Sequence, residues 1–381
     1  MVVRDIKHPK ESEVTMVTSA GKKIALFACA ALAVLALGAC STQSASSSAT
    51  SASSGSTSAA ASTTTTQSSQ ATSAASAQSA TTTAATSPTA ASATFGAVPN
   101  TLAQDEDALV SKYAGKFTQE TYTDKDTGLS VTYNLFLPQG YDASKSYPMV
   151  VFIADSSCAK GNAEQSLTQG RGALVWATDE WQSAYPCIVC VPTYPETILD
   201  DHNGYTTTEY VELTKRLIDS VASTYAVDSG RIYGTGQSMG CMTTLILASE
   251  YPDLYAACMF VDGQWDASKL KGLEGQTFVY FAAEDDERAF AGMGEVEAMF
   301  DADSVAYASA EWDGTWAPDA LTAAAEKLFA SCNAANFVSW KTGTIEAGSG
   351  GGMGGSSYHM ASFDYAYNCV AAMEWLFQQG S

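Results

Sequence analysis

The sequence contains few histidines and few basic residues. Only 3 of its 381 residues are histidine, and 19 lysines and arginines stand against 41 aspartates and glutamates, a formal net charge of −22. So acidic a protein is repelled by phosphate backbones and anionic headgroups, which argues against nucleic acid or anionic lipid surfaces as partners. The scarcity of histidine leaves few candidates for any reaction that needs an imidazole base.

Long hydrophobic runs are also missing, with one short exception near the start. The apolar run Ile24 to Leu37 follows two lysines and ends in Gly38-Ala39-Cys40. A bilayer core needs about 20 apolar residues, so this pattern predicts a secretory signal rather than a spanning helix. Leu37-Gly38-Ala39-Cys40 resembles the bacterial lipobox, in which the cysteine is acylated and becomes the first mature residue.

The sequence therefore predicts a lipoprotein signal peptide over residues 1–40. It also predicts an extracytoplasmic protein that reaches the membrane only through lipidated Cys40; an ordinary signal peptide with an incidental cysteine is the alternative. Residues 41–100 are mostly Ser, Thr, Ala and Gln without apolar periodicity, which is typical of a disordered linker. One folded domain is expected over residues 101–381.

Beyond Cys29 and Cys40, seven cysteines remain, an odd number that leaves at least one thiol free. Cys187-Ile188-Val189-Cys190 has the spacing of a redox or metal motif. It lies in an apolar strand-like run, however, where positions three apart point to opposite faces. We therefore expect two separate buried cysteines, and neither a metal nor a cofactor.

The apolar pattern of the folded domain changes along the chain. Two alternating runs, Lys116 to Thr123 and Leu129 to Leu137, flank a turn and predict an antiparallel hairpin. Continuous apolar runs follow, as in parallel strands buried on both faces: Met149 to Ala154, Cys187 to Val191, Arg231 to Gly234, Ala256 to Val261 and Thr277 to Ala283.

Helical spacing appears between these runs, at Thr207 to Tyr225, Met239 to Ser249, Pro318 to Phe329 and Phe363 to Phe377. Strands that alternate with helices after an opening hairpin predict a mainly parallel, doubly wound α/β sheet. No internal repeat is apparent.

Gly236-Gln237-Ser238-Met239-Gly240 joins a predicted strand to a predicted helix. A tight strand-to-helix turn crowds the chain on both sides of its serine, so glycine is needed two residues away in each direction. Such a turn exposes Ser238 as a nucleophile and directs the amide of Met239 toward a developing oxyanion. The alternative is a glycine-rich turn with an ordinary serine.

A serine nucleophile needs a base to accept its proton, and the three histidines leave one candidate. His8 lies in the signal, and His202 lies in the polar run Asp200 to Asn203 that precedes the serine. His359 follows the glycine-rich run Gly348 to Ser357 and precedes the final predicted helix, where the order serine, acid, histidine places the base. A structural histidine is the alternative.

The acid that orients the base is expected after a later strand, within Glu284-Asp285-Asp286-Glu287. Our choice is Asp286. Asp285 and Glu284 compete with it, and Asp266 is a weaker candidate. A run of four carboxylates is also typical of a solvated loop.

Several segments resemble a known family: Tyr133 to Tyr141, Tyr147 to Ile153, Gly234 to Cys241 and Tyr251 to Ala257. They are similar to bacterial secreted α/β-hydrolases called predicted peptidases, relatives of the prolyl oligopeptidase catalytic domain and of feruloyl and polyhydroxybutyrate esterases. The resemblance covers most of residues 115–380 and implies the α/β-hydrolase fold. It also places the family aspartate on Asp286 and the family histidine on His359.

One departure concerns the second oxyanion donor, a backbone amide that follows the strand ending near Ile153. Most such hydrolases have His-Gly there, whereas this chain has Ala154-Asp155-Ser156. The amide of Asp155 or Ser156 is the expected donor, although an inward Asp155 carboxylate would oppose an oxyanion. Gln237 and Trp265 are further candidates for substrate contact, and a core position is the alternative for Trp265.

The sequence thus predicts a serine hydrolase that transfers an acyl group to water, with a small-molecule ester as the first expectation. A serine peptidase of the prolyl oligopeptidase type is the alternative, although no peptide-gating propeller accompanies the domain. A non-catalytic surface binding protein that retains the fold is the second alternative. The oligomeric state is left open.

Overall fold

The computed structural model describes residues 95–99, 105–160, 162–347 and 357–380. The predicted signal, Cys40, most of the linker and nearly all of the glycine-rich run before His359 lie outside these residues. All described residues belong to one compact unit that spans residues 83–381.

Nine strands form the central sheet, in the order β1-β2-β4-β3-β7-β8-β9-β11-β10, and β5 and β6 form a separate two-residue ribbon. Their bounds are β1 (Thr118–Thr123), β2 (Ser130–Phe136), β3 (Tyr147–Ile153), β4 (Ile188–Thr193), β5 (Leu199–Asp200), β6 (Thr206–Thr207), β7 (Val227–Gln237), β8 (Ala257–Val261), β9 (Phe278–Ala283), β10 (Tyr307–Trp312) and β11 (Ala335–Trp340).

The sheet directions confirm the predicted architecture. β2 pairs antiparallel with both β1 and β4, and every other pair in the large sheet is parallel. The opening hairpin and the mainly parallel sheet behind it are those expected from the sequence. Parallel strands bring their carboxyl ends to one edge of the sheet, where binding sites of α/β proteins form.

The helices of the described residues are α1 (Glu106–Tyr113), α2 (Gln165–Thr168), α3 (Asp179–Ala184), α4 (Glu209–Thr224), α5 (Met239–Glu250), α6 (Glu287–Asp303), α7 (Pro318–Phe329), α8 (Ser357–Tyr367) and α9 (Val370–Phe377). None of the helices in these parts of the chain is long and apolar enough to cross a bilayer.

The sheet separates two apolar cores because strand side chains alternate between its faces. On β3, Val150 and Phe152 join the core beneath α1, α3, α7, α8 and α9. Met149, Val151 and Ile153 join the core beneath α4, α5 and α6. The two layers of helices cover both faces of the sheet, as a doubly wound fold requires.

The two cysteines of the Cys-x-x-Cys run fall into different cores, Cys187 on one face and Cys190 on the other. Burial raises the pKa of each thiol to about 12. Because the two side chains lie on opposite faces of the sheet, these two positions do not form a redox or metal pair. All seven cysteines after residue 105 are free thiols in the structure.

Several elements differ from the sequence expectations. β10, β11 and α6 were not predicted. The predicted helix Phe363 to Phe377 is divided between α8 and α9, and α8 begins early enough to include His359. His359 therefore lies in the first turn of a helix rather than in a loop before one.

The folded domain also begins earlier than the predicted boundary at residue 101. The backbone N–H groups of Gly96 and Val98 donate to the buried carboxylate of Glu374, over 2.7 and 2.8 Å. Val98 is buried, and the ring of Phe95 lies 6.2 Å from that of Phe329. Residues 95–98, which composition alone placed in the linker, are thus fixed to α7 and α9.

Candidate active site

The turn after β7 carries Ser238 at a strained backbone position. Its φ of 51° and ψ of −117° form a backbone conformation that residues other than glycine rarely adopt. Ser238 immediately precedes α5. Its amide donates to the carbonyl of Val261 at the end of β8, over 3.1 Å. The serine is thereby held at the carboxyl edge of the sheet, at the end of a buried strand.

The glycines around Ser238 are required by close backbone contacts. A Cβ on Gly240 would lie 1.8 Å from the carbonyl oxygen of Ile153, and one on Gly236 would lie 2.5 Å from the backbone of Gly240. The first turn of α5 can therefore rest directly against the end of β3. This contact brings the segment after β3 next to Ser238.

Three side chains from distant parts of the chain meet at this edge. His359 Nε2 lies 2.9 Å from Ser238 Oγ, and His359 Nδ1 lies 2.5 Å from Asp286 Oδ2. Because a carboxylate only accepts hydrogen bonds, Nδ1 carries the proton donated to Asp286. Nε2 then accepts the hydrogen bond of the Ser238 hydroxyl, the arrangement a base needs before it takes that proton.

Asp286 has two roles in this arrangement. It precedes α6, and its Oδ1 accepts the amide N–H of Ala289, 3.4 Å away, as the N-cap of that helix. Its other oxygen faces His359. The helix cap therefore fixes the orientation of the carboxylate that binds the imidazole.

The other candidate acids bind elsewhere. Glu284 accepts from the amide and hydroxyl of Thr342, Asp285 accepts from the amide of Gly343, and Asp266 caps a short 3-10 helix through Ser268. Of the acids weighed from the sequence, only Asp286 is hydrogen-bonded to His359 in the structure.

Sequence reasoning missed a further buried carboxyl, Asp262, which follows β8 directly. It is fully buried with a φ of 42°, and its Oδ1 accepts the amide of Ala283 over 2.7 Å. Burial, together with the negative charge of Asp286, raises the pKa of Asp262 to about 7. A carboxylate at the end of a buried strand beside the nucleophile strand was the signal available in the sequence.

The charge state of His359 reflects these neighbours. Burial disfavours the imidazolium, but the hydrogen bond to Asp286 and the negative charges of Asp286, Asp262 and Asp155 favour it more strongly. The pKa of His359 is therefore raised above its ordinary value. Ser362 Oγ also donates to the backbone carbonyl of His359, over 2.9 Å, which helps fix the first turn of α8.

Of the three candidate oxyanion donors, Met239 and Ser156 begin helical turns, and Asp155 directly precedes the second of these turns. Met239 opens α5, and Ser156 opens a 3-10 helix over Ser156–Cys158. Amides at the start of a helix have no partner within it, so both are available to an anion. The carboxylate of Asp155 is turned inward and is only 3% exposed, the orientation that raised doubt about this loop.

Gln237 and Trp265 are placed away from solvent. Gln237 is 1% exposed, and its amide donates to Asp155 Oδ2 over 3.2 Å. Trp265 is 2% exposed, belongs to the core beneath α4, α5 and α6, and makes an edge contact with Tyr205. For Trp265 the structure therefore favours the core position, and neither side chain presents a surface to a ligand.

His202 lies apart from the three-residue arrangement. Its side chain is 60% exposed, and its Nδ1 lies 2.8 Å from Asp201 Oδ1. Asp200, Asp201 and His202 place possible ligand atoms within 4.8 Å of one another. Asp201, however, already accepts from the guanidinium of Arg288 over 2.6 Å and from the amide of Gln264, so we assign no metal to this cluster.

Comparison with known proteins agrees with this architecture. The chain adopts the α/β-hydrolase fold: a crystal structure of a thermostable esterase matches with a TM-score of 0.55 and 24% identity, over 71% of this chain and 64% of that one. The family described as "Putative esterase" matches residues 125–336, more than half of the chain. The protein belongs to this family of carboxylesterase-like hydrolases.

Two other similarities are more limited. A 68-residue stretch is 37% identical to feruloyl esterase B of Talaromyces funiculosus, which covers 18% of each chain. A feruloyl esterase module from Clostridium thermocellum, solved with sinapinate, has a TM-score of 0.46 and 15% identity over 72% of this chain and 92% of that one. The chain thus matches less than two thirds of the curated relative and of the thermostable esterase.

Proposed function

We propose that the protein hydrolyses carboxylic esters through Ser238, His359 and Asp286. The observation that carries the proposal is the continuous hydrogen-bond chain from Ser238 Oγ through the imidazole to Asp286. Ser238 Oγ attacks the ester carbonyl carbon while His359 Nε2 takes the hydroxyl proton. Asp286 holds the imidazole in the required tautomer and stabilises the imidazolium that forms.

The remaining steps use the same groups. The tetrahedral intermediate places its negative oxygen toward the amides of Met239 and Ser156, and His359 returns its proton to the departing alcohol as the carbon–oxygen bond breaks. Water then attacks the acyl-enzyme, again with His359 as base, which releases the acid and restores Ser238. Esters are favoured over amides because an alkoxide leaving group needs less protonation than an amine.

A fluorophosphonate probe, which labels only activated serines, tests the nucleophile. We expect labelling of the wild-type protein and none of Ser238→Ala. Ser144→Ala, on an exposed turn, is the matched control and should label like the wild type. Labelling that survives in Ser238→Ala would assign the nucleophile elsewhere, and a folded wild type that does not label would favour a non-catalytic binding protein.

The substrate class is tested on unlabelled wild-type enzyme, because the probe blocks the serine that it modifies. Aryl, feruloyl and acetyl-sugar esters are compared with dipeptide amides at equal concentration. Faster hydrolysis of the amides would favour the peptidase alternative.

We also propose that the protein is extracytoplasmic and anchored by a lipid on Cys40. The proposal rests on the basic start, the short apolar run and the lipobox-like Leu37-Gly38-Ala39-Cys40. A linker of more than 50 polar and small residues would then separate the membrane from the domain, which begins near Phe95.

Cell fractionation tests the anchor. We expect the wild-type protein in the membrane fraction and Cys40→Ser in the soluble or unprocessed fraction, because a serine cannot accept a thioether-linked lipid. Cys29→Ser, within the apolar run of the signal, is the matched control and should remain in the membrane fraction. Equal membrane recovery of wild type and Cys40→Ser would contradict the proposal.

A further inference from the structure

The inward carboxylate of Asp155 joins two segments on either side of the proposed nucleophile. Its Oδ1 accepts the amide N–H of Ser157 over 2.8 Å, and its Oδ2 accepts from Gln237 Nε2 over 3.2 Å. Gln237 is the last residue of β7 and immediately precedes Ser238. Both oxygens of the buried carboxylate therefore have donors, one from the loop after β3 and one from the end of β7.

These contacts lie where the sheet no longer holds the two segments together. The register between β3 and β7 ends at the pair Ile153 and Gly236. Beyond it, the side-chain bond from Gln237 to Asp155 continues the connection by one more step. The bond from Ser157 then caps the 3-10 helix that begins at Ser156, so the same carboxylate fixes the orientation of the Ser156 amide.

We propose that Asp155 is a positioning residue that, together with Gln237, holds the Ser156 amide at the oxyanion site. This inference rests on the proposed ester hydrolysis. Both oxygens of the carboxylate accept hydrogen bonds from the protein. The carboxylate therefore faces the loop after β3 and the end of β7 instead of an open oxyanion position. Asp155, in the segment that departs from the usual His-Gly, is thus part of the support of this loop.

The charge of Asp155 acts separately from its hydrogen bonds. Three carboxyl groups act on the charge of His359: Asp286 before α6, Asp262 after β8 and Asp155 after β3. Each favours the imidazolium, so removal of the Asp155 charge is expected to lower the pKa of His359. The positioning effect and the charge effect therefore predict different changes in two variants.

Gln237→Met removes the hydrogen bond and keeps the charge. Methionine has a similar length, but the loss of the amide removes the donor to the buried Asp155 Oδ2, so this variant is also expected to be less stable. We expect kcat to fall about tenfold or more, toward the ~10²–10³-fold loss that follows removal of one oxyanion donor. KM and the acid limb of the pH profile should stay near wild type.

Asp155→Asn removes the charge and keeps the hydrogen bonds. Its Oδ1 still accepts from Ser157, and its Nδ2 can donate to Gln237 Oε1 once the Gln237 amide rotates. We expect a smaller loss of kcat than in Asp155→Ala, with the acid limb shifted to lower pH. Asp155→Ala removes both effects, so kcat should fall and the acid limb should also shift.

The measurements are kcat, KM and pH profiles on the best ester, with thermal melts to verify folding. The inference is overturned if folded Gln237→Met retains wild-type kcat. It is also overturned if Asp155→Asn loses as much kcat as Asp155→Ala. If Gln237→Met does not fold, the comparison of Asp155→Asn with Asp155→Ala decides. A folded wild-type protein that neither reacts with the fluorophosphonate probe nor hydrolyses any of the esters would instead refute the proposed function.

Discussion

Replacement of His359 by alanine is expected to lower kcat by about 10⁶-fold, the size found when the base is removed from a serine triad. Ser238 Oγ lies 2.9 Å from His359 Nε2, and no other histidine of the described residues lies within hydrogen-bonding distance of it. Without the imidazole the serine keeps its proton near neutral pH and is a weak nucleophile. The loss should appear in kcat measured at saturating ester.

The matched control is His202→Ala, which removes the only other histidine after the predicted signal. His202 lies on the exposed turn between β5 and β6, where it contacts Asp201 and Arg288. We expect its kcat to remain within about twofold of wild type, as for most surface substitutions. A large loss in His202→Ala together with a mild one in His359→Ala would reverse the assignment of the base.

The pH dependence of the wild type provides a second check on His359. The base must be neutral to accept a proton, so kcat/KM should rise as the pH passes the pKa of His359 in the free enzyme. Because Asp286, Asp262 and Asp155 raise that pKa, the acid limb should lie above the ordinary histidine value of 6.5. An acid limb below 6.5 would contradict the charge environment described for this imidazole.

The central part of the fold was readable from the sequence because buried parallel strands are continuously apolar. β3, β4, β8 and β9 each fall within about two residues of a predicted run, and every residue of these four strands is buried. The strand-to-helix turn at Ser238 could be predicted for a related reason. Gly236 and Gly240 are required because a Cβ at either position would collide with the backbone. The spacing of the two glycines therefore indicates the turn by itself.

β10 and α6, which were not predicted, lack such a pattern. β10 is an edge strand with small and polar residues, and only Trp312 within it is buried. α6 contains Gly292 and Gly294 and several carboxylates, which weaken the helical pattern. Tertiary packing stabilises α6, because Gly292 allows this helix to approach the side chain of Gln264 closely.

The sequence indicated which residues could form the candidate site. It did not indicate which of these residues contact one another. The glycine-flanked strand-to-helix turn was enough to select Ser238, and the presence of only three histidines in the sequence was enough to select His359. Composition alone left Asp285 and Glu284 as competitors of our choice, Asp286, because the assignment depends on which carboxylate turns toward α8; the family resemblance favoured Asp286. Asp262 and the bond between Asp155 and Gln237 were not foreseen because they join segments that are more than 20 residues apart.

Asp286→Asn is expected to lower kcat by about 10⁴-fold with little loss of stability, the size found when the acid of a serine triad becomes an amide. The Asn Oδ1 still accepts the Ala289 amide and caps α6, since asparagine is as good an N-cap as aspartate. Its Nδ2, however, donates toward His359. The imidazole must then carry its proton on Nε2, and it can no longer accept the proton of Ser238.

The adjacent carboxylates supply the controls for this prediction. Asp285→Asn and Glu284→Gln alter groups that bind Gly343 and Thr342, on the loop after β11, and they should keep kcat within about threefold of wild type. The three variants are compared by kcat, thermal melting and fluorophosphonate labelling rate. If Asp285→Asn or Glu284→Gln loses more activity than Asp286→Asn at equal stability, a different carboxylate orients His359 in the working enzyme.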